Sequence, residues 1–158
     1  MKIHPSPLNC LDYYVTACSL TANPKYTLGE ANGLNFDDLN IQTHSELIGD
    51  VTSPENWRVS LEVGYNPGPE KNAPYSFTIG LIGTFTVHRD YPANKVKTLV
   101  EVNGSSMLYS IARQILASMM HNGPHQAILL PTVSFADVKP PQPKKTDADA
   151  PPASPANQ

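Results

Sequence analysis

Apolar and polar residues alternate with a period of two along four segments that precede residue 90. The third segment places its apolar side chains at Trp57, Val59, Leu61, Val63 and Tyr65. The fourth places them at Tyr75, Phe77, Ile79, Leu81, Phe85 and Val87. Alternation of this kind is typical of antiparallel strands that bury one face. We therefore predict strands with one buried face, joined by a turn at Asn66–Pro69, which is rich in residues that break strands.

The first two segments are less regular and are separated by a long connection. In the first, one face carries Leu11, Tyr13, Val15 and Ala17, and the other Asp12, Tyr14, Thr16 and Cys18. The second, weaker segment covers residues 40–48. The connection, Thr21–Leu39, contains the large apolar residues Tyr26, Leu28, Leu34 and Phe36. A loop of this length is often functional, so these side chains either pin the loop to the domain or line a binding groove.

A change to helical spacing follows the strands. Apolar residues recur at Leu108, Ile111, Ala112, Ile115 and Met119, and Met107, Leu116 and Met120 widen this stripe. We predict a helix over Ser105–His121, with an N-cap within residues 103–106 and a C-terminal stop at Gly123-Pro124. Arg113 is its only formally charged side chain. Such a helix is either sandwiched within one core or packed on another subunit.

The chain is long enough for one domain, which we place at residues 10–138 after a flexible N-terminus over residues 1–9. The tail, residues 139–158, holds six of the sixteen prolines and no large apolar residue. Such a composition does not offset the entropy lost on ordering. We therefore predict that the tail is disordered.

Charge and composition exclude several classes of function. The net charge of -3 and the scattered basic residues argue against nucleic-acid binding. No apolar run approaches the roughly 20 residues that span a bilayer, and the N-terminus lacks the apolar core of a secretory signal. We expect a cytoplasmic protein that does not insert into membranes. Its two cysteines, Cys10 and Cys18, are then free thiols.

The sequence contains no recognisable catalytic motif, whether a nucleophile elbow, a phosphate-binding loop or a metalloprotease helix. His121 and His125 are four residues apart, but Gly123-Pro124 interrupts any shared helix, so we interpret both as solvent-exposed loop histidines. The carboxylates of Asp37, Asp38, Glu46 and Asp50 have spacings that indicate no acid–base pair. We expect no enzyme activity, no cofactor and no metal. One apolar helix and a half-exposed sheet favour a protein that acts by offering apolar surface.

The order of these elements and four short motifs resemble the SecB family of export chaperones. Ile82–Val87 is similar to the family's Gly-x-Phe-x-Ile, and Leu108–Arg113 to its Leu-Phe-Pro-Tyr-Ala-Arg. Ser118–Gly123 resembles its Ser-Met-Val-Ser-Arg-Gly, and Val133–Phe135 its Val-Asn-Phe. The resemblance covers the layout of residues 11–138 and is specific over residues 82–135.

This resemblance implies an α+β fold. Its features would be a four-stranded antiparallel sheet, a long crossover after the first strand and then one long helix. It also implies dimers that pair into a tetramer through the long helices, with interface candidates Leu108, Ile111, Ile115, Leu116 and Met119. Unfolded client chains would bind apolar surface grooves, with candidates Tyr26, Leu28, Leu34, Phe36, Phe77 and Phe85.

The chain departs from the family pattern where a second helix would begin. Phe135–Lys139 runs directly into Pro140-Pro141, so we expect that helix to be short or absent. The strands lack an obvious acidic patch for a SecA-type motor, and the tail lacks the family's Cys/His zinc-dependent contact. Delivery to a translocase is therefore doubtful. Our leading hypothesis is an ATP-independent holdase for export or for a dedicated client such as an antitoxin. The alternative is a non-catalytic adaptor that recognises one specific partner.

Overall fold

The computed structural model describes residues 5–29, 36–49, 55–68 and 70–136 as one antiparallel sheet with a long helix on one face. The strands are β1 (Leu8–Ala22), β2 (Leu39–Leu47), β3 (Asn56–Tyr65) and β4 (Tyr75–Val87). They lie in the order β1-β4-β3-β2, so the connection after β1 crosses from one edge of the sheet to the other. The predicted α+β fold is confirmed. After the long helix, the described residues contain no further helix up to Ala136. The rest of the segment in which a second helix was expected to be short or absent, and the predicted tail, lie outside the described residues.

β3 and β4 form the centre of the sheet, and their predicted faces are confirmed. Leu61 pairs with Leu81 and Val63 with Ile79, and all four side chains are buried beneath the helix. The opposite face of the same strands is polar and carries an ion pair between Arg58 and Glu46 of β2, at 2.9 Å. In these two strands, the alternation of apolar and polar residues therefore predicts correctly which side chains are buried.

β1 differs from its predicted pattern because two bulges interrupt its pairing with β4. Leu11 is the extra residue between the pairs Cys10–Phe85 and Asp12–Thr84, and Thr16 is the extra residue in the second bulge. Each extra residue reverses the faces of those that follow. Tyr13 and Val15 therefore share the helix side, but Ala17 does not, and the predicted single face is wrong. The strand also begins at Leu8, earlier than the predicted domain boundary at residue 10.

The long helix begins well before the predicted residue. It consists of α1 (Ala93–Leu99), a π-helical turn (Val100–Gly104) and α2 (Ser105–His121). The predicted N-cap is wrong, because Gly104 has helical backbone angles and makes no side-chain cap. The π turn brings Gly104 against the sheet, where a Cβ atom would lie 3.0 Å from Val59 Cγ2. Packing against the sheet thus keeps Asn103-Gly104 helical despite the low helix propensity of glycine.

Two stripes of α2 divide its apolar residues. The buried stripe faces β3 and β4 and consists of Leu108, Ala112, Leu116 and Met120. The half-exposed stripe consists of Met107, Ile111, Ile115 and Met119. Each stripe has a spacing of four residues, which places its members along one side of a helix. The apolar width of the helix therefore reflects one stripe in the core and one beside it.

Candidate functional site

Large apolar side chains are exposed at a few places on the described surface. They are Leu11, Tyr13, Tyr14, Val15, Leu28, Phe36, Met107 and Leu129. Half of this set lies in one short part of β1, and Leu28 and Phe36 lie in the crossover. Clusters of exposed apolar residues, unlike scattered ones, mark interaction surfaces. Two clusters are therefore candidate functional surfaces.

The first cluster, which we name the helix–β1 patch, consists of Tyr13, Val15, Ile111, Ile115 and Met119. The helix packs mainly on β3 and β4, so it leaves the helix side of the edge strand β1 uncovered. Tyr13 pairs with Gly83 and Val15 with Leu81, which places both side chains on the helix side of the sheet. Cys18 Sγ lies 3.3 Å from Met119 Sδ, so the half-exposed stripe of α2 borders β1. The patch therefore includes residues of both β1 and α2, two elements that meet at the Cys18–Met119 contact.

The second cluster lies on the crossover, whose two ends are held by the loop between β3 and β4. Near its start, Thr27 N donates to Asn72 Oδ1 at 2.9 Å, and Asn72 Nδ2 donates to Thr27 O at 2.9 Å. Near its end, Lys71 forms an ion pair with Asp38 in the short 3-10 turn Phe36–Asp38. Its hydrogen bond to Asp38 raises the pKa of Lys71. Neighbouring residues of one loop thus position both ends of the crossover.

His125 fixes the start of the crossover from the opposite side. Its Nε2 lies 2.9 Å from the carbonyl oxygen of Asn23, and its ring makes contacts with Tyr26 and Tyr75 at centroid distances of 5.0 and 5.6 Å. The backbone N–H of His125 also donates to the Tyr75 hydroxyl. The interpretation of His125 as a solvent-exposed loop residue is therefore wrong. His121 is exposed, as predicted, with Nδ1 2.6 Å from Ala117 O.

The crossover surface consists of Tyr26, Leu28 and Phe36. Leu28 is 76% exposed and Tyr26 is half-buried against His125. A cavity of about 370 Å³ opens beside its start, between Pro24, Asn66 and Tyr75. Leu34, the remaining crossover candidate, lies outside the described residues. This surface combines exposed apolar groups with an adjoining recess.

The other predicted site residues fall into two groups. Phe77 and Phe85 are fully buried beneath the helix, so in this chain they belong to the core and do not reach the surface. Among the predicted interface residues, Leu108 and Leu116 also belong to the core, whereas Ile111, Ile115 and Met119 lie in the helix–β1 patch. Sequence reasoning missed the exposure of Tyr13 and Val15, because the spacing that buries β3 and β4 also occurs in β1.

Two thiols lie on β1, near the helix–β1 patch. Both cysteines are free, and burial raises the pKa of the Cys10 and Cys18 thiols. A raised pKa lowers the fraction of the nucleophilic thiolate at neutral pH. Over the described ranges, no three His, Cys, Asp or Glu side chains converge as a metal site would require. In the same ranges, no helix has the length and apolar character needed to cross a bilayer.

Comparison with solved structures identifies the class of fold. The chain superimposes on Mycobacterium tuberculosis Rv1957, a SecB-like chaperone in complex with a ChAD peptide from the Rv1956 HigA1 antitoxin. The TM-score is 0.56 and the identity 11%, over 81% of this chain and 91% of that chain. The chain therefore has a SecB-like fold.

A second solved structure has a weaker likeness. It is a protein of unknown function from Streptococcus agalactiae, with a TM-score of 0.44 and 12% identity over 78% of this chain and 96% of that one. No protein-family profile and no curated protein sequence matches the chain.

Proposed function

We propose that this protein is an ATP-independent holdase that binds non-native polypeptides and associates with itself. The observation that carries the proposal is the separation of its exposed apolar residues into two surfaces on a SecB-like fold, the helix–β1 patch and the crossover surface. The proposed activity requires no catalysis, nucleotide or metal. We propose a cytoplasmic location and no dependence on a SecA-type motor.

The helix–β1 patch is the proposed self-association surface. Its residues belong to two elements that hydrogen bonds and packing hold in place, β1 and α2. A rigid apolar surface loses little conformational entropy when it is covered, which favours stable association. Ile111, Ile115 and Met119 would meet the same surface of a second copy, giving the dimers and tetramers that the family resemblance implies.

The crossover surface is the proposed client-binding surface. Each Å² of apolar area removed from water contributes roughly 25 cal/mol, so Leu28 and Phe36 gain most from being covered. They lie near the two ends of the crossover, which are held by Asn72 and Lys71. A surface that binds through apolar area alone recognises many unfolded sequences, as a holdase must.

Suppression of aggregation tests this function. The purified chain, at stoichiometric amounts, is expected to keep a chemically unfolded client soluble during dilution. The double variant Leu28→Ser and Phe36→Ser is expected to lose most of this effect. Tyr14→Ser is the matched control, because Tyr14 is 54% exposed but faces the opposite side of the sheet, where it pairs with Ile82. No suppression by the unmodified chain would contradict the holdase function.

A dedicated client is supported by one further observation. The neighbour of the same fold is in complex with a peptide from an antitoxin, and an antitoxin is one client that we propose for this chain. Proteins that copurify with the chain distinguish the possibilities. Many unrelated unfolded chains indicate a general holdase, and one partner at a fixed ratio indicates a dedicated chaperone. A single folded partner that is not protected from aggregation would indicate the adaptor function.

A further inference from the structure

The chain beyond α2 lies along the helix in an extended conformation without joining the sheet. We name residues 126–136 the strap. In the described structure, its backbone makes two polar contacts with the rest of the protein. Tyr109 Oη donates to Pro131 O at 2.8 Å, and Ile128 N lies 3.3 Å from Met120 Sδ. A further hydrogen bond, from Ala136 N to Ser134 Oγ, joins two residues of the strap itself. An extended segment with so few backbone bonds is attached mainly by its side chains.

Four large apolar side chains attach the strap. Ile128 and Leu130 are buried, at 6% and 4% exposure, and Val133 and Phe135 pack half-buried against the same core. The ring of Phe135 meets the edge of Tyr109 at a centroid distance of 6.0 Å. Leu129, between the two buried residues, is 77% exposed. The side chains thus alternate between groove and solvent, as those of any extended peptide would.

The groove beneath the strap is not fully closed. A cavity of about 400 Å³ remains where the strap leaves the helix, lined by Ala117 and His121 of α2 and by residues 125–129. The strap contains no Asp, Glu, Lys or Arg. Because the strap occupies the groove, its properties indicate the kind of ligand that fits there. That ligand is an extended, uncharged segment with apolar residues at the spacing of Ile128, Leu130, Val133 and Phe135.

We propose that this groove is a second client-binding site, in which an extended apolar segment of a client displaces the strap. The inference rests on the proposed holdase function. A ligand that needs the open groove has its apparent affinity reduced by the fraction of molecules whose strap is displaced. Weakening the strap therefore strengthens binding of a client in trans, which is the reverse of what loss of a binding residue produces.

A fluorescent peptide with the sequence of residues 126–136 tests the proposal in the full-length chain. The host variant Leu130→Ser weakens the strap and leaves the α2 wall intact, so it is expected to bind the peptide about tenfold more tightly than the unmodified host. Leu129→Ser, at the exposed neighbour, is expected to change the affinity less than twofold. A peptide carrying the same Leu130→Ser change is expected to lose binding to every host. Equal or weaker binding by the Leu130→Ser host would overturn the proposal.

A milder host variant separates this effect from damage to the core. Val133→Ser, at a half-buried position, is expected to tighten peptide binding about threefold while the thermal transition stays cooperative. An unchanged affinity in a cooperatively folded Val133→Ser host would also count against the site. Aggregation assays on the same hosts keep the two proposals distinct. If the hosts protect an unfolded client but the strap variants do not change peptide affinity, the holdase function stands and the groove proposal is wrong. If the hosts bind the peptide but do not protect the client, the holdase function is wrong.

Discussion

β1 and β4 pair along most of their lengths, yet β4 belongs to the core and most of β1 is exposed at the surface. Every second residue of β4 is buried beneath the helix, whereas the middle of β1 exposes Leu11, Tyr13, Tyr14 and Val15. Their apolar content is similar, so composition does not explain the difference. The helix covers the central strands and ends beside the edge strand, with Met119 against Cys18. Position in the sheet decides whether the apolar side chains of a strand are buried or exposed.

The largest expected contrast between these strands is in stability. Phe85→Ala, in β4, removes a fully buried ring and is expected to lower the free energy of unfolding by about 3–5 kcal/mol. Tyr13→Ala, in β1, removes a ring that is 45% exposed and is expected to cost about 1 kcal/mol or less. Urea unfolding followed by circular dichroism measures both. Equal losses would show that β1 belongs to the core of the single chain.

A smaller contrast concerns the glycines of the sheet. A Cβ atom at Gly83 would lie 2.8 Å from Phe85 Cε2 and 2.9 Å from Leu108 Cδ2, so Gly83→Ala is expected to destabilise the fold by about 1–3 kcal/mol. At Gly64 of β3 the nearest atom, Thr78 Oγ1, is 3.9 Å away. Gly64→Ala is therefore the matched control and should change stability by about 0.5 kcal/mol or less. Equal losses of stability in the two variants would show that Gly83 is not needed for the close approach of the helix to the sheet.

Variants of the exposed strand are expected to change assembly more than stability. The double variant Tyr13→Ser and Val15→Ser should abolish self-association and lower the free energy of unfolding by about 1 kcal/mol or less. Tyr14→Ser, on the opposite face, should leave assembly unchanged. Native mass spectrometry gives the oligomeric state of each. A monomeric unmodified chain would contradict the proposed role of the helix–β1 patch.

The smallest expected effect is a loss of stability at alkaline pH that begins in β1. Burial raises the pKa of the Cys10 and Cys18 thiols above 9.0, so the unfolded chain loses these protons first. Their contribution to stability is therefore present below pH 9.0 and lost as the pH rises through the folded-state pKa. The pKa values of Tyr65, Tyr109 and Lys71 are also raised. Their contributions to stability are lost only above pH 10.0 for the two tyrosines and above pH 10.5 for Lys71.

Urea unfolding at pH 8 to 10 in a reducing buffer measures this effect. Between pH 9.0 and 10.0, the variant carrying Cys10→Ser and Cys18→Ser should lose less stability than the unmodified chain. The same slope in both proteins would assign the loss to the tyrosines and Lys71 alone.

Local pattern predicted much of this fold. The faces of β3 and β4, the limits of β2 to within one residue, and the Ser105–His121 segment all followed from spacing. β3, β4 and the helix are strongly periodic, whereas β2 is an edge strand whose weaker pattern still marked its limits. Gly123-Pro124 likewise marked the end of α2, since a proline cannot continue a helix.

The candidate surfaces were less accessible to sequence reasoning. Tyr26, Leu28 and Phe36 were identified from their place in a long connection, and Ile111, Ile115 and Met119 from their spacing. The same reasoning also selected Phe77, Phe85, Leu108 and Leu116, which are buried. An apolar side chain gives the same sequence signal whether it faces a core or a partner, so exposure had to come from the fold.

The sequence by itself determined the four strands and the Ser105–His121 part of the helix, because the spacing of apolar residues within each segment is a local property. Tertiary structure decided the bulges of β1, the continuation of the helix through Asn103-Gly104 and the packing of the half-buried His125 against the crossover. Each depends on atoms distant in the chain, such as Val59 against Gly104 and Asn23 against His125. It also decided that the helix covers β3 and β4 and leaves β1 exposed, which creates the surface on which the proposed self-association depends.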